Sequence, residues 1–171
     1  VTTGVRYENI NLARDDWGKT DPRRTENPSE RNNEVNAFLP SIGATYQAND
    51  NWILLAGVQK AFAPPSPGNN NADNEEGWNY EFGGRFSYGN INGELIGFVT
   101  NLDNLHGNCT ASQGCNDDLI GQQYNAGKVD ISGIEFMINH RAEFGGFAIP
   151  TRFNYTYSSA EFAETFESEL D

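Results

Sequence analysis

The side chains that most often catalyse reactions are few in this sequence and poorly spaced for the purpose. Its two histidines, His106 and His140, fall in a polar connection and at the end of a predicted strand. Nucleophilic catalysis needs a base within hydrogen-bond reach of a hydroxyl or thiol group. Ser41, Ser66 and Ser87 have no histidine at a suggestive position. We therefore predict that the chain is not an enzyme, and no motif in it indicates a cofactor.

The two cysteines, Cys109 and Cys115, lie in a polar segment rich in Asn, Gly and Asp. Their short spacing can close a small loop disulfide, which an oxidising compartment would permit. The alternatives are two free thiols or half of a metal site. His106 is the only histidine nearby and there is no second cysteine pair, so a metal site is the weaker interpretation. We predict a disulfide between Cys109 and Cys115 and no metal site.

Charged side chains concentrate in the polar connections. The acidic ones there are Asp73, Glu75, Glu76, Asp117 and Asp118. Hard cations such as calcium prefer carboxylate oxygens, but solvated loop charge is the simpler interpretation of these acids. Residues 14–34 also carry four arginines among acids, namely Arg14, Arg23, Arg24 and Arg31. Guanidinium groups hold anions through paired hydrogen bonds, so the arginines are candidates for binding an anionic ligand.

The overall charge and hydropathy exclude several classes of protein. The formal net charge is −13, from 24 acidic and 11 basic side chains, which argues against a nucleic-acid partner. No run of about 18 apolar residues exists, as a transmembrane helix would require, whereas a spanning β-strand needs only about 9–11 residues. The first residues lack the pattern of a secretory signal, and Val1 begins in mid-strand. We expect the chain to be an internal piece of a longer protein.

Residues 78–88 alternate aromatic and polar side chains with a period of two, which is typical of a β-strand with one apolar and one polar face. Similar alternation predicts seven strands in all, near 1–12, 35–48, 52–63, 78–88, 91–103, 125–143 and 147–160. The strand at 91–103 is the least regular, because neither of its faces is polar. The pattern indicates an all-β fold, an antiparallel meander of about seven strands.

The connections alternate between short and long. The short turn signals are residues 49–51, 89–90 and 145–146, and the long polar connections are 13–34, 64–77 and 104–124. Five aromatic residues fall beside the short turns, namely Tyr46, Trp52, Tyr88, Phe144 and Phe147. Tight turns at one end, long loops at the other and a girdle of aromatic rings are typical of a barrel in an outer membrane. Arg6, Glu8 and Arg152 would then face the lumen.

Several short motifs carry a resemblance to a known family. They are LPSIGATY at 39–46, NW at 51–52, LAGVQKAFAPP at 55–65, NYEFG at 79–83, NLDNL at 101–105 and GIEF at 133–136. In this order they resemble the barrel of TonB-dependent outer-membrane receptors along most of the chain. The segment FAPPSP at 62–67 is most similar to the ferric dicitrate receptor branch.

The resemblance implies that residues 1–171 are part of a 22-strand transmembrane β-barrel, without the plug domain and the remaining strands. It implies active transport of a ferric chelate, either ferric dicitrate or a siderophore, across the bacterial outer membrane. The implied partners are that chelate, outer-membrane lipid and lipopolysaccharide, and TonB acting through the plug. Ligands of these receptors meet the barrel at its extracellular mouth, where we expect contacts from Gln59, Asn101, Gln122 and Gln123.

Two other interpretations share the strand pattern. A soluble or cell-surface β-sandwich could bind carbohydrate or protein through its loops, but it would have to bury the aromatic side chains inside a closed core. A passive porin wall would have the same strand chemistry without a plug.

Overall fold

The computed structural model describes residues 1–18, 21–70, 72–113 and 120–163. Its elements in chain order are β1 (Thr2–Asp16), β2 (Ser29–Asn49), β3 (Trp52–Ala63), β4 (Glu75–Tyr88), β5 (Ile91–Asp103), β6 (His106–Asn108), a 3-10 turn (Ala111–Gln113), β7 (Gln123–Asn125), β8 (Val129–Phe144) and β9 (Phe147–Phe162). Seven strands form one antiparallel sheet in the order β1-β2-β3-β4-β5-β8-β9, and β6 pairs with β7 separately. The predicted all-β meander is confirmed. Among the described residues, no helix is long and apolar enough to cross a membrane.

β1, β2, β4 and β9 extend beyond their predicted bounds, whereas β8 begins at Val129 and not at residue 125, because Gln123–Asn125 forms β7 of the separate hairpin. β1 continues to Asp16 and β2 begins at Ser29. Apart from Ala13, the residues added to β1 and β2 are polar, and their side chains pair across the two strands. Asp16 Oδ2 of β1 lies 3.7 Å from Arg31 Nε of β2, and Glu34 Oε1 of the added stretch accepts from the Asn9 amide at 2.8 Å. A polar stretch that was predicted as loop therefore forms a hydrogen-bonded ladder instead.

The short connections are tight turns, as predicted. Gly89 has φ 56°, and Gly145 and Gly146 have φ 57° and 86°, a region that glycine enters without steric cost. At the turn between β2 and β3, the Asn49 side chain accepts a hydrogen bond from the Asn51 N–H at 2.9 Å. All three turns lie at one end of the sheet because the strands are antiparallel and adjacent.

The two faces of the sheet differ in chemistry. The aromatic face carries Trp52 and Leu54 of β3, Trp78, Tyr80 and Phe82 of β4, Leu95 and Val99 of β5, Ile134 of β8, and Phe153, Tyr155 and Tyr157 of β9. These side chains are open to the surroundings, and Phe82 is 62% exposed. The polar face carries Arg6, Glu8, Glu81, Arg85, Glu94, Glu135 and Arg152. The predicted separation of apolar and polar side chains is confirmed.

The five aromatic residues beside the short turns all lie on the aromatic face. Trp52 Nε1 donates to the Tyr88 hydroxyl at 2.7 Å, and the Trp52 and Phe86 rings are 5.4 Å apart. Phe144 and Phe147 face each other across the β8–β9 turn and are 82% and 75% exposed. The rings thus form one row at the turn end of the sheet, as the girdle prediction requires.

The irregular pattern of β5 has a packing explanation. Phe98 lies on the polar face opposite Gly133 of β8. A Cβ atom added to Gly133 would come within 2.6 Å of the Phe98 ring, so the ring lies directly over the glycine. Ile96 and Leu55 lie beside Phe98 on the same face. A small apolar island therefore interrupts the polar face, which is why neither face of β5 is uniformly polar in the sequence.

The buried core of the described residues is small and lies under the long connections. It consists of Val35, Ala37, Leu39, Cys109, Ala126 and Val129 among the apolar residues. Val35, Ala37 and Leu39 belong to the polar face of β2, where the connection between β3 and β4 folds inward. Within the described ranges no second large sheet covers the aromatic face. A self-contained β-sandwich would need that cover, so the fold does not match this alternative.

Candidate binding site at the long loops

The connections β3–β4 and β5–β8 are joined by hydrogen bonds on the polar face. Gln123 makes two of them, because its Oε1 accepts the Ser66 N–H at 2.7 Å and its backbone oxygen accepts the Asn69 amide at 3.2 Å. Gly68 N–H donates to Asn33 Oδ1 of β2 at 2.8 Å. Three segments that are distant in the sequence thus converge at one place, where a ligand could contact all of them.

A second set of bonds joins the same two connections nearer the sheet. Asp73 N–H donates to Asn125 Oδ1 at 3.1 Å, and the Asn125 amide donates to Asp73 Oδ2 at 3.1 Å. His106 N–H donates to Glu75 Oε1 at 2.8 Å, and its Nε2 lies 2.6 Å from the Asp73 carbonyl. Since a carbonyl only accepts, this contact requires the proton on Nε2. The two connections therefore form one hydrogen-bonded unit.

The acidic residues of this region have protein partners. Asp73 and Glu75 accept the bonds just described, and Glu76 forms an ion pair with Lys60 at 2.6 Å. The described residues contain no group of three or more His, Cys, Asp or Glu side chains that could hold a metal ion. Asp117 and Asp118 lie outside the described residues.

Cys109 anchors the β6–β7 hairpin. Its N–H donates to the Gln122 carbonyl and its carbonyl accepts the Gly121 N–H, both at 2.8 Å. Cys109 is only 1% exposed and is disulfide-bonded. Cys115 lies outside the described residues, so the pairing of these two cysteines stays a prediction.

A cavity of about 240 Å³ lies where the connections meet β1 and β2. Its walls include the side chains of Arg14 and Arg31, and the connection residues Gly68, Gln122 and Gln123. Of the four arginines that the sequence nominated for an anionic ligand, Arg14 and Arg31 are the ones that line this cavity. Arg24 instead lies over the Trp17 ring, 4.9 Å from its centre, within the β1–β2 connection.

The β1–β2 connection is organised by Asp21, which is 7% exposed. Its carboxylate accepts the Glu26 N–H at 2.8 Å and the Thr25 hydroxyl at 3.0 Å. The Glu26 and Thr25 backbone N–H groups are the main cause of a pKa for Asp21 below the ordinary value. Because the ionised form is the better acceptor, this turn is most stable above the ordinary aspartate pKa and loses that stability as the pH falls through the lowered one.

The structure brings together two of the four predicted ligand contacts. Gln122 and Gln123 line the cavity beside Arg14 and Arg31, which we call the arginine cavity. Gln59 lies on the same polar face but at another cavity, opposite Ser41 and Asn79.

Asn101 lies on the aromatic face opposite Trp78, and its amide donates to Asp130 Oδ1 at 2.7 Å. Its position does not support a contact on the polar face. The sequence does carry a signal for this position. Asn101 is two residues from Val99 and six from Leu95, so the two-residue period of a strand places all three side chains on the aromatic face.

The serines and histidines do not form a nucleophile–base pair in the part of the chain that the structure describes. Ser41 Oγ donates to the Gly4 carbonyl at 3.4 Å. His140 Nε2 lies 3.2 Å from the Asn90 amide, and His106 bonds to a backbone carbonyl. The described residues thus hold a polar surface built from hydrogen-bonding groups and arginines, which is a candidate for binding.

A one-layer antiparallel sheet with an exposed aromatic face, a row of rings at its tight turns and long inward-folding loops defines a section of β-barrel wall. The family model for the TonB dependent receptor-like β-barrel matches residues 1–170. The chain belongs to this family of receptors, whose members are transporters and not enzymes.

Solved structures share the fold at low sequence identity. The FrpB iron transporter from Neisseria meningitidis (F3-3 variant) has a TM-score of 0.67 and 17% identity, over 94% of this chain and 23% of that chain. The ferric yersiniabactin uptake receptor FyuA from Yersinia pestis has a TM-score of 0.66 and 20% identity, over 94% of this chain and 24% of that chain. The alcaligin outer membrane receptor FauA from Bordetella pertussis has a TM-score of 0.58 and 23% identity, over 79% and 24%.

The chain therefore spans about a quarter of the length of these structures. No curated protein matches it closely enough in sequence to be compared.

Proposed function

We propose that this chain forms part of the wall and the extracellular mouth of an outer-membrane receptor that imports a ferric chelate. Membership of the TonB-dependent receptor family is the observation that carries the proposal. The similar structures support it, since FrpB is an iron transporter, FyuA is a ferric yersiniabactin uptake receptor and FauA is an alcaligin outer membrane receptor. The chelate is either ferric dicitrate, as the FAPPSP segment suggests, or a siderophore.

The two faces of the sheet give the wall a physical role. The exposed rings of the aromatic face favour contact with hydrocarbon and lipid headgroups, and the polar face suits a hydrated lumen. The edge strands β1 and β9 each have one side without a partner strand in the described sheet. Unpaired backbone groups in lipid cost several kcal/mol each, so the sheet requires neighbouring strands, which a 22-strand barrel would supply.

The long loops would form the mouth. Gln122 and Gln123 remain candidates for ligand contact from the arginine cavity, and Gln59 from lower on the same face. Lipopolysaccharide would surround the outward surface. TonB would act through a plug domain, which would open the path for the chelate.

An uptake assay tests this function in the intact organism. Cells grown without iron are given radiolabelled iron(III) chelates, with and without the gene for the full-length receptor, and with and without TonB. We expect accumulation of at least one chelate to need both proteins. Accumulation that needs the receptor but not TonB would indicate a passive porin wall. Undiminished accumulation of every chelate tried without the receptor would refute the proposal.

A further inference from the structure

Two arginines face each other on neighbouring strands at the arginine cavity. Arg14 of β1 and Arg31 of β2 are direct register partners, and both lie on the polar face. Like charges placed directly opposite each other in a sheet are destabilising. The chain has only 11 basic residues against 24 acidic ones, so this pairing of two positive charges is not a consequence of a basic composition.

One carboxylate lies between the two guanidinium groups. Asp16 Oδ1 accepts from Arg14 Nε at 2.7 Å, and Asp16 Oδ2 lies 3.7 Å from Arg31 Nε. The other cavity-lining residues that the structure describes are uncharged, among them Ser66, Gln122 and Gln123. Among the described groups at the cavity, two positive charges and one negative charge leave an excess of one positive charge, and this excess favours a further anion.

The β3–β4 connection is shaped to approach these arginines closely. Gly68 has φ +77°, and a Cβ atom added there would lie 2.5 Å from Arg31 Cβ and 3.5 Å from Arg14 Cβ. Only glycine fits both the backbone conformation and the space. The Gly68 N–H bond to Asn33 and the Ser66 N–H bond to Gln123 hold the connection in place. The connection therefore closes one side of the cavity against the arginine stems.

The size of the cavity limits what can enter it. About 240 Å³ is less than the roughly 300–1,000 Å³ of sites that enclose a drug-sized ligand. It can accept one arm of a larger molecule. The planar fork of a guanidinium matches a carboxylate through two parallel hydrogen bonds, and amide groups such as that of Gln122 suit the rest of such an arm.

We infer that the cavity between Arg14 and Arg31 binds carboxylate groups of the transported ligand, which selects iron(III) polycarboxylates over chelates without free carboxylates. This inference rests on the proposed function and names its substrate class. The carboxylate replaces or joins Asp16 between the two guanidinium groups and relieves their repulsion.

The test measures binding to the full-length receptor in detergent by titration calorimetry. The probes are iron(III) citrate, which carries carboxylates, and the iron(III) complex of desferrioxamine B, which binds iron through hydroxamates alone. Hydrogen bonds to charged groups contribute about 1.5–3 kcal/mol, so the double variant R14Q/R31Q should weaken iron(III) citrate binding by about tenfold or more. Raising the salt concentration should weaken citrate binding to the unaltered receptor as well.

Arg6 provides a matched control on the same strand. It lies on the same face of β1 and pairs with Glu8 at 2.8 Å, as Arg14 pairs with Asp16, but it does not line the cavity. The variant R6Q removes one positive charge, half of what R14Q/R31Q removes, and should leave affinity within about twofold. Equal losses in R6Q and in R14Q/R31Q would overturn the inference, since they would reflect overall charge.

The variant Q123E provides a second test that preserves the fold. A carboxylate oxygen can still accept the Ser66 N–H, while the added negative charge should repel the ligand and weaken citrate binding by about tenfold. Unchanged citrate affinity in both Q123E and R14Q/R31Q would overturn the inference.

The two proposals fail in different ways. A receptor that binds and imports only the hydroxamate complex refutes the carboxylate site and leaves iron uptake standing. A receptor that supports uptake of no iron chelate refutes the proposed function itself.

Discussion

At the scale of single residues, Gly133 marks the most crowded point between β5, β8 and β9. A Cβ atom there would lie 2.2 Å from the Tyr157 carbonyl oxygen and 2.6 Å from the Phe98 ring. We expect Gly133→Ala to lower the free energy of unfolding of the full-length receptor by about 1–3 kcal/mol, because the backbone of β9 must move. Denaturant unfolding in detergent, followed by circular dichroism, measures the change.

Gly43 of β2 is the matched control for this substitution. It also lies within a strand on the polar face, but its added Cβ would meet nothing closer than the Ala56 carbonyl oxygen at 3.8 Å. Gly43→Ala should leave stability unchanged or slightly raised. If both variants unfold at the same denaturant concentration, the close approach at Gly133 does not contribute to stability.

At the scale of the strand, neighbouring residues of β8 test which face meets lipid. Ile138 lies on the aromatic face beside Phe153, and Met137 lies on the polar face beside Asn154. A lysine facing lipid costs about 2–4 kcal/mol at the bilayer midplane, whereas a lysine in a hydrated lumen costs little. We therefore expect Ile138→Lys to destabilise the receptor in lipid vesicles by roughly that amount, and Met137→Lys much less.

Folding equilibria of both lysine variants in the same vesicles give the comparison. The two side chains are apolar and similar in size, so a difference between the variants reports the face and not the loss of a methyl group. A larger loss for Met137→Lys would reverse the assignment of lipid and lumen.

At the scale of the whole molecule, the described strands form a sheet that leaves its apolar surface uncovered. Phe144 is 82% exposed and Phe147 is 75% exposed, and both sheet edges lack partners among the described strands. Exposed apolar patches and open edges promote association. We expect the excised chain to aggregate in aqueous buffer and to disperse only in detergent, as measured by analytical ultracentrifugation.

The comparison with and without detergent also separates the barrel from the β-sandwich. A folded monomer in buffer alone would show that the aromatic face is covered in solution, and the interpretation as barrel wall would be wrong. The full-length receptor, treated in the same detergent, serves as the control for correct dispersal.

Local patterns in the sequence were sufficient for the seven strands of the large sheet and for their tight turns, but not for the short strands β6 and β7. Alternation in a strand such as 78–88 depends only on the two-residue period of the backbone, and a turn such as Gly145-Gly146 depends on the conformational freedom of glycine. The boundaries failed where polar residues continue a strand. Arg14 and Arg31 lie in the predicted connection 13–34 and look like loop residues until their pairing across β1 and β2 is known.

The candidate site was only partly visible in the sequence. Gln122 and Gln123 were predicted together with Asn101, but the pairing of β5 with β4 places Asn101 on the opposite face. Arg14 and Arg31 were two of four candidate arginines, and nothing local distinguishes them from Arg23 and Arg24.

The sequence by itself therefore determined a two-faced antiparallel meander with its long loops at one end, because alternation and turn chemistry act between near neighbours. Only the tertiary structure decided that Arg14 faces Arg31 and that Gly68 and Gln123 close the cavity beside them. Strand register and loop packing depend on contacts between residues that are far apart in the chain, and no short-range pattern encodes those contacts.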